Sequence, residues 1–101
     1  MDARRRSLII VLIDPEGQRS PIYVAARRAG HRPVVVTGVD TAIVILGSLV
    51  ADVVVIRSLS AERDRAAAAR IAAGAPEVPI RIVTADGALA DALDDAQHVL
   101  N

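Results

Sequence analysis

The stretch LIIVLI, residues 8–13, is apolar without a break and is stopped by Asp14 and Pro15. It is too short for an amphipathic helix and lacks the alternation of a strand with one wet face. The pattern predicts a strand buried on both faces, the kind found inside parallel sheets. Similar apolar runs recur at residues 33–37, 52–56 and 80–84. Pro33, at the start of the second run, lacks a ladder donor, which points to an edge strand.

Between these runs the sequence reads as helix. Residues 18–29 form the first, with Pro21 in a first turn and Gly30 as its C-terminal stop. Asp40 is a candidate N-cap for a helix from Thr41 to about Val50. Ser60 is a candidate cap for residues 61–73, which Gly74 and Pro76 end. Asp86 is a candidate cap for a last helix to about Ala96, and a short fifth strand is expected from His98. Strictly alternating strands and helices predict an α/β domain with a parallel sheet and helices on both faces. No linker or repeat divides the chain, so residues 1–101 are expected to form one domain.

Composition narrows the function classes. Hydrophobic residues make up 52% of the 101, enough for a core, but aromatics contribute only Tyr23. Twelve basic and twelve acidic side chains cancel, which argues against bulk attraction to nucleic acid or an anionic membrane. Cysteine is absent, which removes disulfides, thiolate chemistry and cysteine-based zinc sites. His31 and His98 have no second ligand at metal spacing, so surface or structural roles are expected. Arg4, Arg5 and Arg6 precede an apolar run that is short and has no small-residue cleavage site, so neither a signal peptide nor a membrane span is expected. A cytoplasmic location follows as the default. The basic clusters, and the charges Glu62, Arg63, Asp64, Arg65 and Arg70, read as solvated surface.

Several strand ends resemble the receiver domain of bacterial response regulators. DPE at residues 14–16 is similar to the acidic corner after the first strand, and GHRPVV at 30–35 to the turn into the second. DVVVI at 52–56 is similar to the third strand, and PIRIVTA at 79–85 to the fourth. The resemblance covers residues 8–101. It implies a flavodoxin-like doubly wound five-stranded sheet of order 2-1-3-4-5, with a crevice at the carboxyl ends of strands one and three. It also implies a phospho-acceptor aspartate at the end of strand three, an acidic pair that holds magnesium, a hydroxyl residue after strand four and a lysine after strand five.

This chain departs from that pattern. Arg57 stands where the acceptor aspartate is expected, and a guanidinium cannot attack phosphorus. Asp14 remains, Glu16 is a possible second ligand, Thr84 matches the hydroxyl residue, and no lysine occurs. Asp14, Glu16, Arg57 and Thr84 therefore read as a vestigial phosphorylation pocket. Arg57 either pairs with Asp14 or Glu16 in place of a metal, or simply leaves the sheet toward solvent. The sequence also stops before the family's last helix.

The expectation is a phosphorylation-independent pseudo-receiver: not an enzyme, without cofactor or metal, acting as a protein interaction module or homodimer. The alternatives are an N-terminal fragment of a longer response regulator, or a magnesium-dependent phospho-acceptor using Asp14 and Glu16. Ile43, Val44, Ile45 and Leu49 lie in a stretch with no charge between Asp40 and Asp52. A helix covering one sheet face needs only one apolar stripe. The excess reads either as an interaction surface or as deeper burial within the monomer.

Overall fold

The computed structural model describes residues 7–84. The chain runs β1 (Ile9–Ile13), a 3₁₀ turn (Gly17–Arg19), α1 (Pro21–Arg28), β2 (Arg32–Val36), α2 (Val39–Leu46), β3 (Val53–Arg57), α3 (Ala61–Gly74) and β4 (Ile80–Val83). All pairings are parallel, and the four strands lie in the order β2-β1-β3-β4. Pro33 accordingly sits on an edge strand, opposite Ile10. The predicted helix over 86–96 and the strand from His98 lie outside the described residues, as do Arg4 to Arg6.

Side-chain alternation explains why β1 and β3 read as unbroken apolar runs. Ile10 and Leu12 face α1 together with Leu8, Val53, Val55 and Val83, and α1 contributes Ile22 and Ala26. Val11 and Ile13 face the opposite way with Val36, Val54 and Ile56, where α2 contributes Ala42 and α3 contributes Ile71. Four of the five residues of each central strand are buried, because helices cover both faces. Burying one such Val, Leu or Ile is worth roughly 1.5–3 kcal/mol, so these two clusters supply the main drive to fold.

Local chemistry sets the helix ends. Ser20 caps α1 by accepting from the Ile22 N–H, and Pro21 occupies the first position. The helix therefore begins later than Gln18; residues 17–19 form a separate 3₁₀ turn. At its other end Gly30 has φ +88°, and His31 N–H donates to Ala26 O while Gly30 N–H donates to Arg27 O. That pair of bonds is a Schellman motif, and the left-handed residue it needs is the reason for glycine. Ser60 caps α3 as expected, accepting from Arg63 N–H.

α2 differs from expectation. Gly38, extended at φ −148°, is its N-cap, so Asp40 falls inside the first turn. There the carboxylate complements the helix dipole and pairs with Arg70 of α3. The helix also stops at Leu46, capped by Gly47, short of Val50. The amino end of β1 is pinned by side chains: Asp52 Oδ2 accepts from Ile9 N–H at 2.8 Å, and His31 Nδ1 accepts from Leu8 N–H at 3.1 Å. Asp52 thus precedes β3 and ties it to β1, and His31 has the structural role expected of it.

Candidate functional site

β1 and β3 are neighbours in register, with Ile13 opposite Ile56. The next residue on each, Asp14 and Arg57, therefore meet at the carboxyl edge of the sheet. Asp14 N–H continues the ladder to Val36 O, which fixes where its side chain starts. The Asp14 carboxylate is fully buried. Its Oδ1 accepts from Glu16 N–H at 2.8 Å, closing a local turn, and from Arg57 Nη1 at 3.2 Å. The same guanidinium nitrogen bonds the carboxylate of Glu16.

Arg57 thus bridges both acids and does not project freely into solvent; its side chain is 20% exposed. The bonds to Glu16 first and Asp14 second hold its pKa above the ordinary arginine value, against a smaller opposing effect of desolvation. The charge is therefore permanent. Oδ2 of Asp14 is buried without a hydrogen-bond partner among the described residues. Thr84 follows β4 on the same edge, is exposed, and makes no hydrogen bond to this trio among the described residues.

A magnesium ion needs carboxylates plus water in near-octahedral array. Here the guanidinium lies between the two carboxylates that the resemblance offers as ligands. No group of three metal-ligating side chains occurs among the described residues. The residues present do not fit the ion.

Asp64 departs from the expected wet face. It is buried in α3 and reaches back over the helix start, accepting from Ser58 Oγ at 2.6 Å and Leu59 N–H at 3.0 Å. The Ser58 bond first, then that of Leu59, hold its pKa below the usual aspartate value, and burial opposes them. A depressed folded pKa contributes stability that is present above the unfolded value, about 4, and is lost as pH falls through the folded one. Asp64→Asn is therefore expected to lower the denaturant midpoint at neutral pH, with the gap from the parent closing in strong acid. A gap that is constant between pH 3 and pH 7 contradicts the assignment. The sequence signal was weak: two serines just before a helix, and an acid at the end of its first turn.

The apolar excess of α2 divides. Ile43, Ile45 and Leu49 are partly buried and pack on the cluster beneath α2 and α3. Val44 is 73% exposed, and Val50 beyond the helix is 87% exposed. No helix among the described residues is long and apolar enough to cross a membrane.

The class is that of an α/β protein, with a four-stranded parallel sheet and three α-helices among the described residues, consistent with a flavodoxin-like fold. No family model, curated protein or solved structure matches the chain.

Proposed function

We propose that the chain is a pseudo-receiver: a receiver-like domain whose crevice is closed by its own arginine, and which acts as a phosphorylation-independent protein interaction module in bacterial signalling. The observation that carries this reading is the Arg57 bridge to Asp14 and Glu16. A cation stands where the resemblance expects the nucleophilic aspartate, and it occupies the acids expected to bind metal. The strand order β2-β1-β3-β4 supports the likeness. In this reading residues 98–100 add a fifth strand beside β4 and complete the order 2-1-3-4-5.

The decisive experiment incubates the protein with a small phosphodonor and magnesium. No phosphoryl mass is expected. An acid-stable or acid-labile adduct that disappears in Asp14→Asn overturns the proposal and favours a phospho-acceptor using the remaining acids.

The contact surface in this reading is the outer side of α2 around Val44, with a second copy of the chain as partner. A symmetric dimer is the commonest way to cover such a patch. Val44→Glu is expected to convert a dimer to a monomer in sedimentation without disturbing the monomer's core, on which Val44 does not pack; the parent's melting temperature should rise with protein concentration and the variant's should not. A parent protein that is monomeric at high micromolar concentration removes the homodimer and leaves a different protein as the partner.

A further inference from the structure

Between α2 and α3 the carboxyl edge of the sheet opens into a cleft of about 410 Å³. Its floor is made by Ile13 and Ile56, the last apolar residues of β1 and β3. These two strands are neighbours, yet the chain leaves them in opposite directions, from β1 through α1 to β2 and from β3 through α3 to β4. Open α/β sheets bind ligands at this kind of switch point. The volume also falls within the roughly 300–1,000 Å³ of small-molecule pockets.

The walls are mostly aliphatic: Val39 on α2, Leu59 in the loop after β3, Ala66 and Ala67 on α3. Leu59 is 54% exposed and so offers apolar surface to a ligand in the cleft. Charge selects the ligand further. Of the charged residues lining the cleft, Arg57 is held by Asp14 and Glu16, Arg70 by Asp40, and Asp64 by Ser58 and Leu59. Arg63 remains, with no acidic partner among the described residues. Gly38, at the mouth, starts α2 without a side-chain cap.

We propose that this cleft binds a small organic anion: an apolar body against the aliphatic walls and one carboxylate or phosphate head at Arg63. Arg57 lines one side of the cleft while held by Asp14 and Glu16, but the anion anchor is Arg63, so the site stands whether or not the domain is an interaction module.

The test is an amide-shift titration of the full, ¹⁵N-labelled chain with four probes that share one alkyl body: octanoate, octyl phosphate, octanol and octylammonium. Saturable shifts at millimolar concentration are expected for the anions, confined to Gly38, Val39, Leu59, Arg63 and Ala67. The tighter of the two anions identifies the head group. Octanol should bind much more weakly and octylammonium not at all. Arg63→Glu should weaken anion binding about tenfold or more, the scale of one lost charge-assisted hydrogen bond. That variant is expected to fold, because glutamate three residues after Ser60 completes a capping box. Arg65→Glu makes the same charge change on the same helix, outside the cleft lining, and should bind like the parent. Ala66→Trp, which fills the cleft, should abolish binding of both anions. The proposal is overturned if all four probes shift the same amides equally, if no anion saturates, or if Arg63→Glu binds as the parent does.

Discussion

Arg57→Asp is expected to turn a domain indifferent to magnesium into one that binds it. The substitution changes the local charge by two units and sets a third carboxylate beside Asp14 and Glu16. It also removes the guanidinium that bonds both. Asp14 already offers Oδ2, a buried oxygen without a donor among the described residues. Three carboxylates held by adjacent parallel strands and the turn after β1 supply the hard oxygen ligands that, completed by water, hold a magnesium ion. Without metal the variant should be less stable than the parent, because like charges crowd a buried position. Added magnesium should raise its melting temperature progressively, as linkage requires for an ion that binds only the folded state. The parent should show no such dependence. Calorimetry and thermal melts with increasing magnesium measure both effects. If the variant binds the ion no better than the parent, the crevice is not arranged as the Arg57 bridge implies. Phosphoryl transfer is not expected to return, since the sequence holds no lysine to match the one that the resemblance to receivers implies.

This site was legible in the sequence to a definite depth. Asp14 and Arg57 each follow an apolar run, and runs that become adjacent parallel strands deliver their next residues to the same edge. The pairing was therefore one of two readings, beside an Arg57 that leaves the sheet toward solvent; that one nitrogen would engage both acids could not be read, because it depends on the turn that brings Glu16 back over Asp14. The parallel sheet followed from alternation and the edge position of β2 from its proline, whereas the strand order came only with the resemblance to receivers.

Helix starts were harder. An aspartate before an apolar stretch reads as a cap, but Gly38, already extended, takes that place and moves Asp40 into the first turn. The acid then finds Arg70 across the gap to α3, a contact between elements that no periodicity encodes. Asp64 was misread for a related reason. On an arginine-rich helix every charge looks solvated, and its partners, Ser58 and Leu59, lie in the preceding loop. α2 shows the opposite case. Its apolar girth was visible, but only packing separates Ile43 and Ile45, which lie over the sheet, from Val44, which does not.

Ile71→Ala is expected to be the most damaging single truncation on any helix. α3 has fourteen residues, and only Asp64 and Ile71 are buried. Most of its remaining contact with the sheet is made by alanines such as Ala67 and Ala68, which fill little volume. Ile71, with no exposed surface, is therefore the one large side chain that joins the helix to Val54, Ile56 and their neighbours. Truncating a buried isoleucine costs about 2–5 kcal/mol, through lost transfer energy and the cavity left behind. A domain of this size is stable by only about 5–15 kcal/mol, so a loss at the upper end of the truncation range is a third or more of the total. Arg65→Ala, on the exposed side of the same helix, should fall within about 0.5 kcal/mol of the parent. Urea unfolding of both variants gives the comparison directly. A loss below about 1 kcal/mol for Ile71→Ala would mean that the Asp64 hydrogen bonds and the alanine contacts anchor α3 by themselves. The expected larger loss assigns the helix, and with it one wall of the cleft, to a single apolar anchor at one end and a buried carboxylate at the other.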